Sequence, residues 1–486
     1  MSIAIARRFV RVGERPVHYR VAGKGPVALL VHQSPRSSAE YVALITRLAV
    51  QYTVIAPDNP GNGLSDPLPE GARSVEDYGN ALADFLTAIG VKRVLLYGFH
   101  TGAAIGLAFA AKHRKRVAVA VLNGVPVPDR RKVDAHVSRY LLPFEPSWDG
   151  AHLVWAWSRL REQTIFYPWF SDADADRVAF TPPAGDALFD ACLEFFRAGD
   201  NYRHAYEAAF RVPTQRLVTA LKCPAVIVSA RWDPLFEEME GLRVPDHVER
   251  VRLGIDPAES VPVIQRAFAD HASAADVDLS PEPGADRGVV DGLFYRAQPG
   301  AGRPLVLIHD HHDDSSGADI AAGEAAGPRP TIAIDLPGHG ESVTRWQPNL
   351  ADNGQIVHDA LTALGLRDAH LCGVGLGARV AATVTRPGKF PLHYECRPVR
   401  LTAAQHANGA ALIEDFLAPR EHAGRLIGAW RMARDGALFD PWCDPVPAAA
   451  RRPSGDLNPD SLHRRALAAL KSMRSWRASW AAIAPD

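Results

Sequence analysis

The chain has 486 residues, more than one hydrophobic core accommodates, so two or three domains are expected. Its 54 Lys plus Arg balance 55 Asp plus Glu, which argues against a nucleic-acid partner, and no apolar run is long enough to cross a bilayer. Cys192, Cys223, Cys372, Cys396 and Cys443 are scattered without a C-x-x-C pair, so neither a metal nor a disulfide framework is expected and a reducing, cytoplasmic setting fits.

The N-terminal MSIAIARRFVRVGERP reads as a first strand, not a leader. Residues 4–22 predict two strands around Gly13-Glu14-Arg15-Pro16. Pro26 to Val31 is a continuous apolar run, as in a strand buried on both faces, and it ends at His32-Gln33-Ser34-Pro35. Thr53 to Ala56 predicts the next strand, ending at Pro57-Asp58-Asn59-Pro60-Gly61-Asn62-Gly63-Leu64-Ser65. Helical spacing follows over Val75 to Ile89, then a strand over 92–97, a helix to about His113, and a strand over Val117 to Leu122. Strands alternating with helices argue an α/β fold with a mainly parallel sheet. From about 126 to 221 the alternation gives way to aromatic-rich helices, an inserted cap. Strands resume at 223–229 and 248–253, and a helix over Val261 to Ala269 closes a first domain spanning 1–271. Residues 272–288 are small, acidic and Pro/Gly-bearing, a linker composition.

The pattern then restarts. Pro304 to His309 repeats Pro26 to His32, and Asp335-Leu336-Pro337-Gly338-His339-Gly340-Glu341-Ser342 repeats the loop at Asp58. Trp157, Arg161, Phe166, Pro168 and Trp169 recur as Trp430, Arg434, Phe439, Pro441 and Trp442. A tandem copy over 289–486 is expected, its cap from about 400. Counterparts of the strands at 223–229 and 248–253 are missing from it, and an open sheet edge must be covered, by the first copy or by a second protomer in a homo-oligomer. Trp157 and Arg161, four apart on a predicted helix, are expected to pack as a cation–π pair.

One stretch organises the first copy: Leu96-Tyr97-Gly98-Phe99-His100-Thr101-Gly102-Ala103. A glycine-framed bend between a buried strand and a small-residue helix thrusts its middle residue into the cleft above the sheet. With the Asp58 loop, the strand ending at His32 and a cap in sequence order, the chain resembles the α/β-hydrolase superfamily, in tandem, with a second copy cut short after its cap. That resemblance implies a nucleophile at the bend, an acid after a late strand and a His after the last strand. The nucleophile position holds His100, and the acid position holds Asp233, which otherwise caps the next helix. Gly254-Ile255-Asp256 stands where the resemblance implies Gly-His, and the nearest later imidazole, His271, reads as a helix end. The oxyanion donors implied are the backbone N–H groups of Gln33 and Thr101. His32-Gln33-Ser34-Pro35 also looks like the turn of epoxide hydrolases and dehalogenases, although the Asp those enzymes place at the bend is absent.

Three readings of His100 stand side by side: a general base or nucleophile oriented by Asp233 or Asp58, a ligand-binding group in a pseudo-hydrolase, or an inert relic. Ser34, Ser37 and Ser38 are alternative nucleophiles, more in character as turn caps. His32, Asp58 and Trp157 are further cleft residues. The aromatic cap suggests a small, apolar ester or carbonyl substrate, and no cofactor is required. The second bend centres on Gly375, which offers no reactive side chain. Its neighbour His309-Asp310-His311-His312 is too tightly spaced for the usual metal geometry without other partners, so no metal is assigned and the copy is read as structural or regulatory.

Overall fold

The computed structural model describes residues 3–178, 181–273, 279, 286–317, 329–384, 392–396 (backbone only), 401–418, 422–450 and 457–483. Most of the expected linker lies outside them. The chain forms two compact units, Met1–Glu145 with Ala156–Gly284, and Pro146–Trp155 with Ala285–Asp486. Residues 146–155, expected in the first cap, group instead with the second unit.

In the first unit, β1 (Ala6–Val12), β2 (Arg15–Ala22), β3 (Val27–Val31), β4 (Thr53–Pro57), β5 (Val94–Phe99), β6 (Val117–Asn123), β7 (Ala225–Ala230) and β8 (Val248–Leu253) form one sheet. The order is β1-β2-β4-β3-β5-β6-β7-β8, parallel from β4 to β8, with β2 antiparallel to both its neighbours. The unbroken apolar runs have a simple cause: both faces are covered. Leu29, Leu96 and Leu122 point into one core with Val75–Ala88 and Thr101–Lys112, while Leu30, Leu95 and Val121 point into the other with Val42–Leu48 and Ser260–His271. Helices Val133–Tyr140, Gly185–Ala198, Tyr202–Phe210 and Thr214–Ala220 fill the region read as a cap.

Arg161 does not pack on Trp157. It pairs with Glu162 at 2.9 Å on the exposed face, and Arg434 lies over Trp148. The caged cation is Arg159, two residues earlier and so on the opposite face of the helix, ringed by Tyr140, Trp169, Phe195 and Tyr202 at 5.2–5.7 Å.

In the second unit, β9 (Arg287–Val290), β10 (Leu293–Gln298), β11 (Leu305–Ile308), β12 (Thr331–Ile334), β13 (His370–Val374) and β14 (Leu392–Cys396) run in the order β9-β10-β12-β11-β13-β14. This is the order and direction of β1 to β6. Among the described residues, the chain after β14 is helical: Ala403–Leu417, Gly424–Leu438, Pro459–Ser472 and Trp476–Ala481. No described helix is long and apolar enough to cross a membrane.

Candidate functional site

The bend between β5 and helix Thr101–Lys112 has the geometry its glycines dictate. A Cβ on Gly102 would lie 1.9 Å from the Val31 carbonyl oxygen, and one on Gly98 would lie 2.3 Å from the Gly102 oxygen. His100 sits at φ 47°, ψ −111°, a left-handed conformation costing an L-residue about 1–2 kcal/mol. The strain is held by a sheet bond from its N–H to Asn123 O (3.0 Å) and a helix bond from Ala104 N–H to its carbonyl (2.9 Å). The ring stacks on Phe99 and keeps 22% of its side-chain surface exposed.

Both ring nitrogens have partners. Nε2 lies 2.8 Å from Asp233 Oδ2, and Nδ1 lies 3.2 Å from Gln33 Oε1. The Asp233 side chain is fully buried, and its other oxygen accepts the Leu235 N–H at 2.9 Å. One oxygen thus meets His100 and the other closes the turn before helix Phe236–Glu240, whose N-cap Leu235 has no side-chain cap bond. The pair is accommodated by Gly124 at φ 65°: a Cβ there would stand 2.4 Å from His100 Cδ2 and 2.7 Å from Asp233 Oδ2.

Two further participants have no mark in the sequence. The resemblance points to the backbone N–H of Gln33 and is silent on its side chain. Glu40 sits in the short helical turn Ser38–Tyr41 with nothing local to single it out. Gln33 adjoins the Glu40 carboxyl through both its side-chain and main-chain amides. Burial, reinforced by Glu194, pushes Glu40 up to about 8, against the pull of Arg36 and Gln33. Asp233, His100 and Gln33 thus form one hydrogen-bonded chain, with the Glu40 carboxyl near its end. Because the Gln33 amide contacts His100 Nδ1, a half-turn of it exchanges oxygen for N–H and serves either protonation state of the ring. The Gln33 main-chain N–H, one of the two expected oxyanion donors, lies near the Glu40 carboxyl, whose Oε2 has no hydrogen-bond partner among the described residues. The Thr101 amide opens a helix, where first-turn N–H groups have no intrahelical acceptor.

Other expected site residues are consumed by the scaffold. His32 is fully buried; its Nδ1 donates to Gln33 O (2.7 Å) and its Nε2 accepts the Asn59 N–H (2.8 Å). Asp58 takes His18 Nδ1 (2.8 Å) and the amides of Ser38 (2.8 Å) and Leu64 (2.9 Å). Burial alone would raise its pKa, but the His18 pair and these donors hold it far below the carboxylate range. Asp58 therefore braces the early loops, and Asp233 alone of the two meets His100. Trp157 is buried at 7% exposure. Ser37 Oγ bonds Glu194 (3.0 Å) and caps Ala39. His271 Nδ1 donates to Ala267 O at its helix end. At the position where a late His was absent, Glu259 accepts the Gly254 N–H (2.8 Å). A serine–imidazole contact does occur at Ser147–His152 (3.3 Å), within the second unit. There Ser147 Oγ donates to Asp149 and accepts the His152 N–H, a helix-start cluster.

A cavity of about 580 Å³ opens on the Asp233 side of the dyad. Its wall includes Trp232, His136, Tyr167, Lys132, Arg177 and Glu238, so it is mixed rather than apolar; His100, His32, Asp58 and Trp157 do not line it. Burial raises Glu238 to about 7, with Asp233 adding to the effect.

The second unit repeats the bracing and not the side chain at the bend. His309 Nε2 accepts the Leu336 N–H (2.9 Å), and Asp335 accepts Ser315 and Glu341 amides (both 2.6 Å). At the bend, Gly375 has φ 54°. Asp310, which corresponds to Gln33, swings into the space beside it: a Cβ on Gly375 would lie 2.1 Å from Asp310 Oδ1. The same oxygen accepts the N–H of Leu376, the residue after the bend, at 2.8 Å.

Comparison with known proteins agrees with this architecture. The family model of the alpha/beta hydrolase fold matches residues 26–248. That segment therefore carries the alpha/beta hydrolase fold. An uncharacterized protein of Mycobacterium tuberculosis is 37% identical over 92 residues, 19% of this chain and 27% of that protein. A 2-(acetamidomethylene)succinate hydrolase of Mesorhizobium japonicum is 32% identical over 136 residues, 28% of this chain and 48% of the enzyme. Haloalkane dehalogenase 2 of M. tuberculosis is 31% identical over 107 residues, 22% and 37% of the two chains. The matches span less than half the length of each of these relatives.

Proposed function

We propose that the first unit is a cofactor-independent hydrolase- or lyase-like enzyme acting on a small ester or carbonyl compound, with His100 as general base. The observation that carries this is the strained elbow imidazole, part exposed, with Nε2 fixed on a buried carboxylate. Asp233 holds the Nε2 proton and stabilises the ring when it charges. Nδ1 then takes a proton from water as the water oxygen bonds the carbonyl carbon, and returns it to the leaving oxygen as the C–O bond breaks. The Thr101 amide is the oxyanion donor. The names of the hydrolase and dehalogenase relatives support a hydrolytic reaction class. The charged cavity wall favours a substrate with a polar group beside its apolar part.

The second unit, with its matching strand order and braces, is read as a tandem copy that lost this chemistry. A binding-only reading is favoured by one observation: His100 does not line the cavity beside Asp233. Short-chain aryl esters assayed with the wild type, His100→Ala and Asp233→Ala separate the two. Turnover lost in His100→Ala supports the enzyme. Absence of turnover, with His100-dependent thermal stabilisation by small carbonyl compounds, supports the binder, and turnover unchanged in both variants rejects His100.

A further inference from the structure

The geometry points to a divalent transition-metal site in the second unit, formed by Asp310, His311 and His312. The turn after β11 overcomes the tight spacing that argued against it from the sequence. It brings the Nδ1 atoms of His311 and His312 to 3.2 Å. Two imidazole nitrogens on one tetrahedral zinc, each at about 2.0–2.1 Å, stand about 3.3 Å apart. One ligand atom from each of the three residues lies within 4.8 Å of the others, and side-chain shifts of about 1.5 Å close the set to ligand spacing.

Three further observations favour a site over an accidental cluster. Asp310 is held from behind, its Oδ1 accepting the His311 (2.7 Å) and Leu376 (2.8 Å) amides, the outer support that ligating carboxylates usually have. His311 is 1% exposed, so an ion on its Nδ1 would be shielded from bulk water. The rings of Trp442, Trp476 and Trp480 stand 5.0–6.4 Å from His311, a dry wall on one side. One carboxylate and two imidazoles suit zinc, cobalt or iron rather than magnesium or calcium, and leave a coordination position for water or a substrate oxygen. The bend that in the first unit presents His100 would thus present an ion, carried by the residue corresponding to Gln33.

The test uses the full-length protein, stripped with a chelator and titrated with Zn²⁺ by calorimetry and with Co²⁺ by visible absorption. One equivalent and a tetrahedral Co²⁺ band are expected. His312→Ala and Asp310→Asn should each weaken Zn²⁺ binding at least 10-fold, while His100→Ala binds as the wild type does. His312 is half-buried and Asp310→Asn keeps the acceptor for both amides, and circular dichroism checks that each variant folds. Should either misfold, Gly375→Ala, whose methyl displaces the Asp310 carboxylate while leaving all three ligand residues in place in the sequence, must lose the band. Absence of a retained equivalent in the wild type, or binding unchanged across the folded variants, overturns the site.

Discussion

The two glycine bends of this chain share their scaffold and differ in the group they hold. Around each, a buried His after the central strand accepts an amide from the neighbouring loop, and a buried Asp gathers two further amides. In the first unit the bend carries its own side chain, His100, and the loop contributes Gln33 as a neutral partner. In the second the bend carries none, and the loop residue Asp310 moves into the space. Backbone bracing survives a change of the side chain at the bend because its donors are amides, which every residue but proline supplies. Reactivity does not, because it needs one side chain at one point.

The largest effect should come from deleting that side chain. His100→Ala is expected to lower kcat/KM by about 10²–10⁴, the range for a general base, in the aryl ester assay. Survival of the activity would end the contrast between the units. Next, Gly124→Ala should displace both members of the dyad, since its methyl meets the imidazole and the carboxylate within 2.7 Å, and a φ of 65° disfavours any side chain. At least a 10-fold loss of kcat is expected, with a fall in stability of about 1 kcal/mol by denaturant titration.

Gly375→Ala makes the matching insult to the second bend. It should destabilise the protein by about 1–2 kcal/mol at φ 54° and leave kcat for the aryl ester unchanged. A parallel loss of turnover would show that the second bend serves the reaction. The smallest effect concerns Glu40. Burial raises its pKa in the folded state from 4.5 to about 8, so its contribution is fully present below pH 4.5 and is lost as pH rises towards 8. Glu40→Gln should therefore raise stability at pH 9 by about 1 kcal/mol or more and change it little at pH 4, read as the difference in Tm. Equal shifts at both pH values would mean that the carboxyl is not held protonated.

Much of this fold was legible from pattern alone. Unbroken apolar runs such as Val27–Val31 mark strands covered on both faces, and Gly98 and Gly102 mark a bend that admits no Cβ. His100 and Asp233 were also legible, because strand ends fix where side chains emerge. What the sequence alone determined was the order of elements, the repeated pattern and the residue at each bend. Which groups meet was decided only by tertiary structure. Asp58 and Asp233 are both acids after strands, yet His18 claims the first and His100 the second. Glu40 reaches the site through Gln33, Arg159 rather than Arg161 enters the aromatic cage, and residues 146–155 group with the second unit. The reason is physical: periodicity records which face of an element is buried, whereas a hydrogen bond depends on distances of a few tenths of an ångström between residues far apart in the chain.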